Sequence, residues 1–213
     1  MPIQTRRERE RAERERLIMT AARELAEAEG WDAVTTRRLA AEIEYSQPVL
    51  YSHFKGKSAI AAAVVVQGCA DLAAEPASAR AEARGVRESP AAVAETYMSF
   101  ARRRSALYAA MCTPLVNLPF ATEEAPEPVR AAFGELFAAV QPIAAEGDDP
   151  DLLTETFWTG LHGPATPMRS GRLPEHAHER RLALLIGRFA GGGAPAAADG
   201  GRPHGRRHRA TGL

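Results

Sequence analysis

Residues 35 to 57 read TTRRLAAEIEYSQPVLYSHFKGK, two short helical patterns joined by a tight turn and followed by an aromatic and basic cluster. The first pattern runs from Thr35 to Glu42, with Leu39, Ala40 and Ile43 as its apolar face. The second opens at Ser46 and carries Val49, Leu50 and Phe54 inward at helical spacing. Ser46 is suited to cap this helix, because its hydroxyl can accept from an unpaired N–H of the first turn. Pro48 stands in that turn, where a missing N–H costs little. Two short helices joined this closely form a helix-turn-helix, a unit whose second helix fits the DNA major groove.

The residues outside the apolar faces suit that groove. Gln47 projects from the start of the second helix, where side chains reach base edges, and Tyr51, His53, Lys55 and Lys57 follow as donors to phosphate oxygens. Thr35, Thr36, Arg37, Ser46 and Pro48 complete the candidate DNA-facing set. Among 27 basic residues only Lys55 and Lys57 are lysines, so two of them flanking Gly56 point to a specific use. Lys57 and Ser58 also open the next helix, whose N-terminal N–H groups and dipole favour a phosphate. Bulk charge does not make this case, since residues 1–57 hold 11 Arg and Lys against 10 Asp and Glu. The ordered motif makes it, because packing alone does not require Tyr-x-His-Phe-Lys-Gly-Lys.

Ala21-Ala22-Arg23-Glu24-Leu25, Glu29-Gly30-Trp31, Val34 to Ala40, and Ser46 through Tyr51-Ser52-His53-Phe54 to Lys57 stand in an order that resembles the DNA-binding domain of tetracycline-repressor-like (TetR/AcrR) regulators. The resemblance implies a three-helix helix-turn-helix domain that binds an operator in double-stranded DNA. The family usually has Gly where Glu44 stands and a small residue where Pro48 stands. A left-handed Glu44 would be strained, so the turn is expected to differ slightly here, and Pro48 changes the groove-facing surface.

With 213 residues, 45% of them hydrophobic, the chain can bury a sizeable core. Strand signals are nearly absent, because the one β-branched run, Val64-Val65-Val66, lies inside a helical pattern. An all-α fold is expected. The formal net charge of zero suggests neither a membrane surface nor a polyanion-coated partner. Cys69 and Cys112 are isolated and expected to stay reduced in a cytoplasm. The N-terminal MPIQTRRERERAERER has no apolar core and is no signal peptide. The longest apolar run, Ala59 to Val66, is too short to span a bilayer.

Three parts are expected: residues 1–57 as the helix-turn-helix domain with an N-terminal arm, 58–190 as a larger helical ligand-binding and dimerisation domain, and 191–213 as a disordered tail. The alternating Arg and Glu of residues 6 to 16 read as a solvated, salt-bridged helix extension, or as an arm that takes Arg6, Arg7 and Arg9 into a minor groove. Leu17, Ala21, Ala22, Leu25 and Ala28 mark a first core helix that Gly30 ends. A connecting helix is predicted over Ser58 to about Ala74, with a break near Pro76 and Gly85. Further helices are predicted from a Ser89-Pro90 cap to about Arg104, over Ser105 to Met111, over Val129 to Ala145 with a kink near Pro142, over Asp151 to Met168, and over Pro174 to Phe189. From Gly191 the composition cannot bury enough apolar area to order, and the bland reading of Arg206-Arg207-His208-Arg209 is a solvated tail.

Residues 157–163, FWTGLHG, and the Gly171-Arg172-Leu173-Pro174 turn resemble the Trp-His-Gly (WHG) C-terminal domain of some TetR-like regulators. That likeness implies a homodimer through the last two long helices and a response to a small molecule, with repression relieved when the ligand releases the protein from its operator. Leu161, Ala165, Leu182, Leu185, Ile186 and Phe189 supply apolar faces, with Gly160 and Gly163 permitting close approach. A dimer suits a partly palindromic operator with half-sites about 34–36 Å apart. Candidate pocket residues are Tyr97, Phe100, Tyr108, Met111, Phe133, Phe137, Trp158 and His162, aromatic or polar groups among alanines that fit a small apolar or amphipathic ligand. No cofactor is implied.

Other classes are poorly served. No Gly-x-Ser-x-Gly, Walker loop or Gly-x-Gly-x-x-Gly occurs in a suitable place. His176 and His178 lie on different helix faces and lack further ligands, so neither zinc nor another metal is expected. A helical ligand-binding dimer without specific DNA binding is the alternative, and strongly salt-dependent retention on a duplex separates the two.

Overall fold

The computed structural model describes residues 2–112, 116, 118–119, 122–169 and 171–190. The expected disordered tail, with its Arg206–Arg209 cluster, lies outside the described residues. Helices account for every regular element among those described, in line with the near absence of strand signals.

A stripe at helical spacing, Ile18, Ala21, Ala22, Leu25 and Ala26, buries one side of α1 (Pro2–Glu29). Leu17 is 43% exposed and Ala28 faces solvent, so the apolar face keeps Ala21, Ala22 and Leu25 as predicted but ends on Ile18 and Ala26 instead. The Arg/Glu segment is the outer end of α1, with ion pairs Arg6–Glu10 and Arg11–Glu15, both 2.9 Å. It is therefore helical rather than an extended arm. Gly30 stops α1 at φ 85°, donating its N–H to the Ala26 carbonyl.

Two short helices follow, α2 (Thr36–Glu42) and α3 (Gln47–His53), and then the long α4 (Lys57–Glu82). Gly56, at φ 110°, supplies the reversal from α3 into α4. The second half comprises α5 (Ser89–Arg103), α6 (Ser105–Met111), α7 (Glu127–Val140), α8 (Pro150–Arg169) and α9 (His178–Ala190). Pro142 lies in a 3-10 turn, Gln141–Ile143, rather than kinking α7. Similar turns, Trp31–Ala33 and Glu175–Ala177, precede α2 and α9.

The centre of the molecule is α4, which packs on α1, α5, α6 and α7 and buries Ile60, Val64, Val65, Cys69 and Leu72. It runs eight residues beyond the predicted end at Ala74, straight through Pro76. The lost hydrogen bond is outweighed by packing, since Pro76 is itself buried and α4 lies against α5 and α7, with the ion pairs Glu75–Arg103 at 2.5 Å and Arg80–Glu135 at 2.9 Å on either side. By length and composition α4 is also apolar enough to cross a membrane, unlike the short run Ala59–Val66. Its apolar side chains instead meet the surrounding helices.

Candidate nucleic-acid interface and ligand cavity

The helix-turn-helix is locally determined. Thr35 is the N-cap of α2, its hydroxyl accepting from the Arg38 N–H at 3.2 Å, so α2 starts one residue later than predicted. Its other end closes with a left-handed residue, Glu44, at φ 56°. There the Tyr45 N–H donates to Ala40 at 2.8 Å and the Glu44 N–H to Ala41 at 3.4 Å, the paired bonds of a Schellman cap. The expected departure of this turn does not occur: the cap holds the left-handed geometry, and glutamate bears the strain.

Leu39 and Leu50 are fully buried, Ala40 is nearly so, and Ile43, Val49 and Phe54 are half-buried, so α3 lies with one side against α1 and α2. Ser46 is the N-cap of α3 by position, yet its hydroxyl caps nothing. Pro48 has removed one donor, and the Val49 N–H goes to the Ser46 carbonyl at 3.0 Å, which leaves the hydroxyl exposed. Gln47, Pro48, Tyr51 and Lys55 are exposed, Tyr51 to 54%, with the Tyr51 hydroxyl 3.4 Å from that of Thr36. Thr35 and Arg37 are exposed beside them, whereas Thr36 and Lys57 are half-buried.

His53 departs from its expected role. Its side chain is 5% exposed, with Nδ1 3.2 Å from the Glu15 carboxylate, so it ties the end of α3 to α1 instead of reaching outward to a phosphate. Glu15 also pairs with Arg11. A second strut joins α1 to α2, where the Arg38 guanidinium forks onto Glu29 and its hydrogen bond holds that carboxyl below the ordinary carboxylate range.

In the second half, a cavity of about 70 Å³ opens between five helices. Its walls are Cys69 and Leu72 of α4, Tyr97 of α5, Tyr108 and Met111 of α6 with Cys112 just beyond, a row on α7 from Val129 to Leu136, and Trp158 of α8. Among the described residues the lining holds no Lys, Arg, Asp or Glu. The polar groups form a chain: Trp158 Nε1–H donates to the Tyr97 hydroxyl at 3.1 Å, the Tyr97 and Tyr108 hydroxyls lie 3.1 Å apart, and the Tyr108 hydroxyl is 2.7 Å from His162 Nδ1. The sulfur of Cys112 is 3.6 Å from the same nitrogen. Burial lowers the His162 pKa, raises both tyrosines above the ordinary phenol value, and pushes the Cys69 thiol up to about 12.

Of the eight pocket candidates, Tyr97, Tyr108, Met111, Phe133 and Trp158 come together on this cavity, and His162 binds it through Tyr108. Phe100 does not: it is fully buried in the core, under the Arg104 guanidinium at 5.5 Å. Phe137 lies on a separate surface hollow beside Arg130 and Asp151. The cysteines and the aliphatic row of α7 were missed, because nothing in an alanine-rich amphipathic pattern separates a cavity wall from filled core. His176 and His178 sit in and just after the turn before α9, and among the described residues no His, Cys, Asp and Glu group is placed to hold a metal ion.

The two regions touch through α6. One carboxylate of α1, Glu27, accepts the N–H groups of Ala106 and Leu107, both at 3.0 Å, and so caps the start of α6. Trp31 adds an indole N–H to the Ala106 carbonyl at 2.8 Å. The helix that carries Tyr108 and Met111 is thus held at its other end by the DNA-facing half.

This arrangement recurs in known proteins. Residues 18–64 match the family described as bacterial regulatory proteins, tetR family, and residues 91–189 match the tetracyclin repressor-like C-terminal domain. No curated protein matches the chain in sequence. Among solved structures, a protein with unknown function from Rhodococcus sp. RHA1 is 25% identical, with a TM-score of 0.70 over 84% of this chain and 94% of that one. The TetR family transcriptional regulator PfmR from Thermus thermophilus shares the fold at 20% identity and TM-score 0.55, over 80% of this chain and 94% of its own. FadR from Bacillus subtilis, solved in complex with stearoyl-CoA, does so at 14% identity and TM-score 0.59, over 80% and 96%. The two family matches together take in more than half of the chain, one on the helix-turn-helix and one on the helices around the cavity, and the chain belongs to the tetR family: it is a ligand-responsive, DNA-binding transcriptional regulator.

Proposed function

We propose that the chain is a cytoplasmic repressor that binds a partly palindromic operator as a homodimer and leaves it when a small, largely apolar molecule enters the cavity. The exposed edge of α3 carries the reading: Gln47, Pro48 and Tyr51 stand outward in a row whose opposite side is anchored by Leu50. Gln47 is assigned to base edges, and Tyr51, Lys55 and Lys57 to phosphates, with Thr35, Thr36, Arg37 and Ser46 flanking them. His53 acts behind this surface through Glu15. Domain limits of 1–57 and 58–190 are assigned next to the turn at Gly56, one residue into α4.

The dimer is assigned to α8 and α9. Leu152 and Leu184 are 61% and 67% exposed on these helices in a single chain, large apolar groups that a second copy would cover. The structurally similar FadR was solved with stearoyl-CoA, a long-chain acyl thioester. The cavity here is small and uncharged, which supports a smaller apolar effector.

The test is selection of duplexes from a random pool by the full-length chain, expected to enrich an inverted repeat with half-sites about one helical turn apart. On that duplex, Lys57→Ala should weaken binding alike for all sequences and reduce the slope of log affinity against log salt by about one unit. A pool that enriches nothing defeats the DNA reading, and an unchanged salt slope defeats the Lys57 assignment.

A further inference from the structure

We propose that the cavity takes an uncharged apolar molecule bearing one hydrogen-bond acceptor, and that this acceptor replaces His162 as the partner of the Tyr108 hydroxyl. The inference deepens the effector reading of the cavity and rests on it.

The direction of the hydrogen bonds carries the argument. An indole N–H only donates, so the Tyr97 oxygen accepts from Trp158 at 3.1 Å. The Tyr97 hydrogen then goes to Tyr108, 3.1 Å away, and the Tyr108 hydrogen to Nδ1 of His162 at 2.7 Å. The indole hydrogen and both hydroxyl hydrogens have acceptors in this arrangement. A proton on Nδ1 would donate to the Tyr108 oxygen and leave one tyrosine hydrogen with, among the described residues, only the weakly accepting sulfur of Cys112. The geometry assigns Nδ1 as an acceptor, with the ring hydrogen on Nε2.

Tyr97 and Tyr108 are 4% and 3% exposed, fixed in the floor of the cavity, whereas His162 is half-buried and stands outside its walls. A molecule inside the cavity therefore meets a hydroxyl donor whose present acceptor is the one member of the chain outside the cavity wall, stacked on the far side against Trp158. A carbonyl or ether oxygen can take that hydrogen without orphaning any other. Leu72, Val129, Leu136 and Phe133 offer only apolar contact to the rest of the ligand. A carboxylate would lose its hydration and find no cation, and an ammonium would find no carboxylate.

Three compounds of one shape test this on the full-length chain by titration calorimetry: acetophenone, ethylbenzene, which lacks the oxygen, and benzoate, which carries a charge. The Tyr108 hydroxyl exchanges His162 for the ligand oxygen and the half-exposed ring turns to water, so hydrogen bonds are conserved. Acetophenone is therefore expected to bind within about threefold of ethylbenzene, and benzoate not to bind. Tyr108→Phe leaves the ligand carbonyl without a donor and should weaken acetophenone by about tenfold while leaving ethylbenzene within about twofold. The comparison within the wild type does not depend on that variant folding. Acetophenone binding about tenfold or more weakly than ethylbenzene in the wild type, benzoate binding as well as acetophenone, or acetophenone failing to bind each overturns the proposal. Acetophenone that binds as expected but leaves operator affinity unchanged spares the cavity chemistry and defeats the effector reading. A charged compound that empties the operator through this cavity does the reverse.

Discussion

Glu44 occupies a conformation that costs an L residue with a side chain about 1–2 kcal/mol, at φ 56° in the α2–α3 turn. The Schellman bonds that require it are made by backbone, so any residue free of that strain will keep them. Glu44→Gly is expected to stabilise the protein by about 1 kcal/mol and raise the melting temperature by about 2–4 °C. A variant that melts at or below the wild type would show that the turn is not strained. His162 behaves differently, because it is a base kept neutral by burial, below its ordinary 6.5. As the pH falls through 6.5 the unfolded chain takes up a proton that the folded chain refuses. Stability is therefore complete above that value and declines below it, and His178 contributes in the same direction. Between about pH 7.5 and 5.5 the wild type should lose more of its melting temperature than His162→Gln does. Equal losses would place the titration elsewhere. Residue-scale readings from sequence succeeded where chemistry is local, as with Gly30 ending α1, and failed where a partner was distant. His53 looks like a phosphate donor because its neighbours do, and only the packing of α3 on α1 brings Glu15 to it.

At the scale of elements, α4 and α6 approach closely because Gly68 has no side chain. A Cβ there would lie 2.6 Å from a methyl of Leu107, which is 1% exposed and has nowhere to retreat. Gly68→Ala should cost about 1–3 kcal/mol through overpacking, despite the better helix propensity of alanine. Gly134→Ala on α7 has nothing within 4 Å and should instead gain about 0.5–1 kcal/mol. If both variants shift the melting temperature in the same direction, propensity and not the α4–α6 contact governs these sites. Periodicity located nearly all of these helices, since burial on one side is what writes a period into a sequence. It misjudged ends. Pro76 carries the usual signal of a helix break, but it is buried, and the packing of α4 on α5 and α7 keeps the helix continuous. Ser89 resembles a cap and is instead the first helical residue, its hydroxyl buried without a partner.

The whole molecule is expected to be two such chains. Leu185, which looked like an interface residue, is used within the chain: its side chain comes to 2.8 Å from where a Cβ on Gly160 would stand, closing α9 on α8. Gly163 has open space around it. Leu184 is the better probe of the partner surface, because 67% of it is exposed and nothing in the fold depends on it. Leu184→Glu should leave helicity unchanged and convert a sedimenting dimer to a monomer at micromolar concentration, with half-site binding only. A variant that remains dimeric moves the interface off this face. The cap that Glu27 places on α6 has a meaning at this scale as well. A single carboxylate serves two N–H groups, so α6 cannot tilt at its cavity end without either dragging α1 or leaving both donors bare. Such a shared hydrogen-bonded element is a route by which a change at the cavity would reach the DNA-facing half, and coupling by any route is reciprocal. Whatever factor the effector takes from the operator, the operator must take from the effector, so a repressor seated on its site holds its own inducer less tightly than one drifting free.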